Sequence, residues 1–577
     1  MSTPPPPLRR SDYLLLAGYT VLLLAFPLVF NRALSTHETV HCVNIREMRA
    51  DGDLVIPHYG GRPWLERPPL PFWLTLPLVE AFGDAPAVYR LAEIPIAVLC
   101  VLLVGWMGSV FYGRAVGLLS GLVLATIREF TYYGTSPQCD LFLYGVVTCV
   151  MACFVYLEFC RRPADGEGGF VGRRSWALVG FFFFLGLTNL VKGLFFGDVM
   201  ALLPVVGFLF LGSDRWSLLK RYVWLPGWLV FAATAAAWAT AAYLRYPDIV
   251  ELWKSDYVGR MNQGYMREPP WYYLIELPWV LFPWTLVIGA GLAVTWPRVT
   301  GQGRTPERLL WVWALLPVAF LSVPQGKHHH YLLHTLTPWA ILGAVGAVRV
   351  WAWLPQQEWV RRPWPMLTIA SVAGMAAVVA LNGKFHLPAW FLPAALVGWP
   401  LVVFACWRIA AEPDLLKGSI ALFAFLVPAH WFGHAMQPLL ANRYTGDLAF
   451  IERLKSDLPA DARLLVGEDI GPLDASWMLF YLRDRGEQLH NFTFLRDRRL
   501  QDAEVYVIAR RMVADRLKEY GRPELVFESG RSRDEGGPEH RFGLYRVRFH
   551  DRLARRDGDV YISPMQATGR APGPELR

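Results

Sequence analysis

THETVHCVNIREMRADGDLVIPHYGGRPWLERPPL, residues 36–70, decides how the rest of the chain is read. It follows directly on an apolar run, 12–33, long enough to cross a bilayer. A simple multi-pass protein would place a short turn there. This chain instead places a long polar stretch rich in acids, bases and turn-forming residues. Long, ordered-looking loops beside a rigid scaffold commonly carry function. The chain is therefore read as a polytopic helical membrane protein with an elaborate surface on one face.

Composition supports that class. The 577 residues are 54% hydrophobic and 18% charged, against about 25% charged in ordinary soluble domains. Charge is segregated: residues 12–438 are mostly apolar runs, and the remainder is a normal charged mixture. The net charge of +8 and pI of about 9.1 do not indicate nucleic acid, because the arginines fall mainly in loops between apolar runs. The start, MSTPPPPLRRSD, precedes a long span without a clear small-residue cleavage site, as in an uncleaved anchor. The seven cysteines lie mostly in apolar runs and have neither metal spacing nor a disulfide framework.

Apolar windows fall near 12–33, 86–112, 114–133, 139–160, 175–191, 194–212, 224–245, 272–296, 308–324, 331–353, 365–382, 388–408 and 417–438. This corresponds to about thirteen transmembrane helices at bilayer thickness. Arg9, Arg10, Arg161, Arg162, Arg173, Arg174, Arg215, Lys220, Arg221, Arg298, Arg304, Arg308, Arg361, Arg362, Arg408 and Lys417 then share one side. Basic loops face the cytoplasm, so the N-terminus is expected there. The opposite face receives the 36–70 loop, Ser136–Asp140, Lys192, residues 246–271, the GKHHH loop and the tail.

The tail alternates helical and strand patterns. DLAFIERLKSDL and VADRLKEYG read as helices, ARLLVGE and AEVYVIAR as buried strands, and RFGLYRVRF as an edge strand. The expected organisation is a transmembrane domain over 1–440, including a first extracytoplasmic loop over 34–85. A small extracytoplasmic α/β domain follows over 441–550, then a disordered tail over 551–577. No glycine-rich phosphate loop is present, so no nucleotide site is expected.

Several residues carry possible chemistry, each with a structural alternative. Glu38 opens an amphipathic helical segment that Thr36 could cap. A carboxylate there can take a proton from an acceptor hydroxyl or simply favour the positive end of a helix. Its neighbour His37 could be a second base. Asp140 enters an apolar span, where an acid is functional by default. Glu66 and Arg67 precede Pro68 and Pro69, which forbid helix and hold an extended segment; the pair could also be an ordinary surface ion pair. In GKHHHYLLH, adjacent histidines on a helix point apart, which weakens a metal reading. Lys327 and Tyr331, with Arg260, could instead hold a phosphate, or Lys327 could snorkel at a span end.

Taken in order, HETVHCVNIREMRADGDLVIP, GGRPWLERPPLPFWL, Asp140, the Lys192-Gly193 turn, PPWYYL…FPW and KHHHYLL resemble the bacterial aminoarabinose transferase and protein mannosyltransferase group. These are integral membrane glycosyltransferases of the C-type fold, and the resemblance covers roughly residues 12–350. It implies transfer of a hexose or pentose from a polyprenyl-phosphate carrier to an acceptor hydroxyl on the outer side of a bacterial inner membrane. The acceptor would be a lipid, protein or glycan. The first-loop acid would be the general base. Arg67, Arg260 and Tyr331 match phosphate-binding positions, with Lys327 beside them. Asp140 matches a second active-site acid, Lys192 a cavity residue, and Glu66 a cavity acid associated with a possible divalent metal. No other cofactor is implied. One departure stands out: the family's acid pair usually begins with Asp, and that position here is His37. The base role falls to Glu38, or to His37, whose side chain titrates near neutral pH. Two other readings remain open at this level. One is a transporter or flippase, for which Asp198 within the sixth apolar run is the main signal. The other is a non-catalytic relative that binds lipid-linked sugar.

Overall fold

In a computed structural model, the described residues are 6–30, 32–59, 62–160, 173–212, 215–251, 253–254, 268–299, 304–385, 390–440, 445–459, 462–467, 469–470, 472–482, 486–488, 495, 505–529 and 541–549. The chain divides into two compact units. The first comprises 1–31, 87–241 and 254–440; the second comprises 32–86, 242–253 and 441–577. The first loop therefore groups with the tail, although more than 350 residues separate them in sequence. Arg260 and the segment 551–577, expected to be a phosphate ligand and a disordered tail, lie outside the described residues.

The first unit is helical. Helices occupy every apolar window read from sequence. Among the described residues, seven helices are long and apolar enough to cross a membrane, and a bent pair raises this to eight. Shorter apolar helices include Arg114–Thr126, Trp176–Leu190, Phe196–Phe210 and Trp364–Ala380. Some windows are broken where one straight span was expected. Tyr272–Val280 and Thr285–Val299 meet at 108°. Pro283 lies in the break: a proline has no N–H to continue a helix and clashes with the preceding turn. The 114–133 window likewise splits into Arg114–Thr126 and Arg128–Tyr133, parted at Ile127 in extended backbone.

Small residues let these helices approach closely, the usual device where lipid supplies no hydrophobic drive between helices. A Cβ at Gly291 would sit 1.9 Å from the Leu342 carbonyl oxygen, and one at Gly346 would sit 2.0 Å from that of Val287. The helices Thr285–Val299 and Leu336–Trp353 therefore touch backbone to backbone.

The second unit combines the first loop with an α/β body. Helix Thr36–Asp51 ends at Gly52, whose φ of +69° suits a glycine C-cap and whose N–H bonds the Met48 carbonyl at 3.0 Å. Strands β1 (His58–Tyr59) and β2 (Arg62–Pro63) form a small antiparallel pair. Helix Leu70–Phe82 follows the Pro68-Pro69 pair. The tail carries β3 (Arg463–Val466), β4 (Gly486–Gln488), β5 (Val505–Arg510), β6 (Gly521–Glu528) and β7 (Phe542–Phe549) in the order β4-β3-β5-β7-β6. The β3 strand pairs parallel with β4 and β5; β7 pairs antiparallel with β5 and β6. Two tail expectations need correction. RFGLYRVRF is not at the edge: as β7 it lies between β5 and β6, and Phe542, Leu544, Tyr545 and Val547 are buried. On that side the outermost described strand is β6, where Pro523 needs no ladder donor. VADRLKEYG contributes 3₁₀ turns over Arg511–Glu519 rather than an α-helix.

Candidate active site

In the second unit, the start of helix Thr36–Asp51 fixes Glu38. Ser35, not Thr36, is the N-cap: its hydroxyl accepts the Glu38 N–H at 3.3 Å, and the Glu38 carboxylate accepts the Ser35 N–H at 2.6 Å. This reciprocal capping box was legible as Ser35-x-x-Glu38. Glu38 is fully buried and also accepts both guanidinium arms of Arg32, at 2.9 and 2.8 Å. Arg32 lies at the end of the first apolar run, where the sequence gives no sign of this partner. His37, one residue earlier, is exposed. On the same helix, His41 is buried with its ring 4.9 Å from that of Phe72. Burial pushes its pKa down to about 3, so it is neutral at physiological pH. Glu66 is exposed and Arg67 half-buried; both lie in a bend before Pro68, not in the extended segment expected.

The first unit carries a separate polar cluster. Asp140 sits in the first turn of helix Cys139–Phe159 and is 4% exposed. Its Oδ1 pairs with the Lys192 ammonium, and His334 Nε2 lies 3.9 Å away. The Lys192 Nζ also stands 4.9 Å from the Tyr331 ring centroid and 5.3 Å from that of Phe196. Asp140, Lys192 and Tyr331, dispersed in sequence, thus share one place, and His334 joins them.

The turn that delivers Lys192 is built by Asp198. Its carboxylate accepts the Thr188 hydroxyl at 2.8 Å and the Asn189 amide at 3.0 and 3.2 Å. Asn189 in turn accepts the Phe195 N–H at 2.9 Å. Phe195 holds a left-handed φ of +69°, costly for a bulky side chain unless its surroundings impose it. Gly193 at φ +92° sits between them. Asp198 is therefore satisfied by its own turn, which explains an acid in an apolar run.

The GKHHHYLLH segment spreads its side chains over different partners. His329 Nδ1 meets Glu129 Oε1 at 2.7 Å, and Arg128 reaches the other oxygen of Glu129 at 3.1 Å. His328 and His330 stack at 5.1 Å. Lys327 is buried and donates to the carbonyls of Glu268 and Pro324. Glu129 carried no recognisable signal in TIREFTYYG. Among the described residues, no three His, Cys, Asp or Glu side chains gather where they could hold a metal ion.

Comparisons with known proteins meet this picture. The dolichyl-phosphate-mannose-protein mannosyltransferase family matches residues 66–239. The undecaprenyl phosphate-alpha-4-amino-4-deoxy-L-arabinose arabinosyl transferase of Pseudomonas paraeruginosa is 27% identical over 491 residues, covering 80% of this chain and 83% of that protein. The crystal structure of ArnT from Cupriavidus metallidurans in the apo state superposes with a TM-score of 0.74 at 18% identity, over 93% of this chain and 98% of the other. The same protein bound to undecaprenyl phosphate superposes at 0.72 and 19% identity, with the same coverage. The fold is therefore that of an integral, multi-pass membrane glycosyltransferase of the C-type. Within that class, the chain is similar to the aminoarabinose transferases and, over 66–239, to the protein mannosyltransferase family.

Proposed function

We propose that this protein transfers a sugar from a polyprenyl-phosphate carrier to an acceptor hydroxyl, with membrane lipid as the acceptor class. The observation that carries the reading is the similarity to undecaprenyl-phosphate arabinosyl transferases over four-fifths of the chain, together with the Asp140–Lys192–Tyr331 cluster in a region that the mannosyltransferase family partly matches. A pentose such as 4-amino-4-deoxyarabinose is the first donor to test. The expected location is a bacterial inner membrane, with the N-terminus cytoplasmic and the tail extracytoplasmic.

In the proposed step the acceptor oxygen forms a bond to the anomeric carbon as the bond from that carbon to the phosphate oxygen breaks. The acceptor proton passes to a base, and polyprenyl phosphate leaves. Departure of an anion needs fixed positive charge, the role assigned to Arg67, Arg260 and Lys327, with the Tyr331 hydroxyl as a hydrogen-bond donor. Glu38 is assigned as the base and His37 as the second candidate. Lys192 and Asp140 form a paired cation and acid, suited to holding polar groups of the sugar or phosphate. Glu66 is assigned as a cavity acid on the family resemblance alone. A requirement for a divalent metal is tested by chelation in the same assay.

The test is transfer by the purified full chain in liposomes, with a panel of polyprenyl-phosphate sugars and lipid acceptors, with and without EDTA. Glycosylated lipid with matching release of polyprenyl phosphate supports the reading. Movement of intact donor across the bilayer, without transfer from any donor, overturns it in favour of a flippase.

A further inference from the structure

The C-terminal α/β domain has no assigned role, yet it is bonded to the residues around Glu38. Its helix Pro472–Leu482 lies against helix Thr36–Asp51 within the second unit. The Trp477 indole N–H donates to the Leu34 carbonyl at 2.9 Å, and the Leu34 N–H donates to the Tyr481 hydroxyl at 2.8 Å. The Ser476 hydroxyl lies 3.2 Å from the Thr36 carbonyl and 3.0 Å from the Thr39 hydroxyl. Leu34, Thr39 and Ser476 are fully buried, and Trp477 is nearly so. The Arg46 guanidinium, lower on the same helix, stands 4.4 Å over the Phe480 ring and donates to the Phe480 carbonyl at 2.9 Å.

These bonds bracket the capping box. Leu34 precedes Ser35, Thr36 follows it, and Thr39 follows Glu38. The Leu34 backbone is held at both its donor and its acceptor. A helix start is otherwise the place where a helix frays, because its first N–H groups have no partner within the helix. Ordinary packing of a loop against a domain would not require one tail helix to satisfy both polar groups of the same loop residue.

We propose that the C-terminal domain is a positioning body for the first-loop acid. Trp477, Tyr481 and Ser476 clamp Leu34, Thr36 and Thr39, and so hold Ser35 and Glu38 at a fixed angle. None of the three clamp residues touches reacting atoms. The proposal rests on the reading of Glu38 as the base.

The experiment uses the full-length protein in nanodiscs, as wild type, Trp477→Phe, Tyr481→Phe and the double variant. Both replacements keep an aromatic ring and remove the polar group bonded to Leu34, and the β5 reference reads any wider loss of packing. Amide hydrogen exchange is followed over 34–40, with β5 (505–510) as an internal reference, and kcat and KM for the lipid donor are measured alongside. Each single variant leaves one buried backbone group of Leu34 without its partner and the double variant leaves two, so exchange over 34–40 is expected to rise about tenfold per bond. Exchange in β5 stays as in wild type. The kcat falls and the donor KM holds, because the acid and not the donor site is displaced. Unchanged exchange over 34–40 overturns the proposal. So does a parallel rise in β5, which would mark general loosening of the domain. Selective loosening with wild-type kcat also overturns it, and Glu38→Gln in the same assay then locates the fault. If Glu38→Gln is active, the base assignment was wrong; if it is inactive, the clamp does not position the base.

Discussion

Arg32→Met separates the structural duty of Glu38 from its chemical one. The Glu38 side chain is fully buried and the Arg32 side chain only 17% exposed, with both guanidinium arms on the carboxylate. Removing one partner of a buried ion pair costs about 3–5 kcal/mol, because the other charge is left in a poor solvent. Partial access of water to Arg32 places this pair at the low end, about 3 kcal/mol, or about a hundredfold in a local opening equilibrium. Glu38→Gln is milder, at about 1–2 kcal/mol, since the amide oxygen can still accept the Ser35 N–H. The assay is amide exchange over residues 36–40 of the full chain, paired with transfer rates. Arg32→Met should raise exchange there by about two orders of magnitude. Glu38→Gln should loosen the helix start less, yet lower transfer by about 10²–10⁴, the usual loss when a general base is removed. Glu38→Gln that transfers at the wild-type rate would refute the base assignment and leave Glu38 as a helix cap. Arg32→Met with unchanged exchange would refute the energetic argument itself.

Lys192→Met leaves the Asp140 carboxylate buried without its cation, so the thermal midpoint should fall with a cost of about 3–5 kcal/mol; Lys192→Met with Asp140→Leu should recover most of the stability and none of the transfer. Asp198→Ala should release the 188–198 turn and raise acetylation of Lys192 by an amine reagent relative to Lys327, which mass spectrometry of the digested protein reads directly. His41 titrates near 3 when folded and near 6.5 when unfolded. Its contribution to stability is complete above 6.5 and is lost as pH falls from there towards 3, because the unfolded chain then binds the extra proton. Between pH 7 and pH 5 the loss is about 2 kcal/mol, and exchange over 36–51 should show it in wild type but not in His41→Phe. Gly346→Val would drive a side chain into the Val287 carbonyl, and overpacking of this kind costs about 1–3 kcal/mol or more; a lower melting temperature of the purified protein is the readout.

The helical membrane class was legible because apolar runs of bilayer length and the side bias of arginines are physical requirements of insertion. Bends within windows were less legible. Pro283 announced one break, but hydropathy averages across it and reports a single span. The sheet was readable as far as its strands are apolar: β3 and β5 stood out, whereas β6, with Pro523 and two glutamates, did not. RFGLYRVRF misled because alternation marks one polar face, not an edge. At the candidate site, acids in apolar or loop settings were easy to find, and Asp140 with Lys192 proves to be a pair. What escaped were their partners. Arg32 and Glu129 have unremarkable neighbours in sequence, and His334 closes a conspicuous segment without being its conspicuous residue; only folding reveals which charge each one meets. Asp198 shows the converse: a conspicuous acid whose carboxylate bonds Thr188 and Asn189 of its own turn.

Native mass spectrometry through a single turnover tests the central claim most directly. The purified full chain is loaded with undecaprenyl-phosphate-linked aminoarabinose and then given a lipid acceptor. The account predicts an adduct of donor mass that loses the sugar when acceptor is added, leaving undecaprenyl phosphate on the protein. A protein that takes up no polyprenyl-phosphate donor, or holds one whose mass never changes in the presence of acceptor, would contradict it.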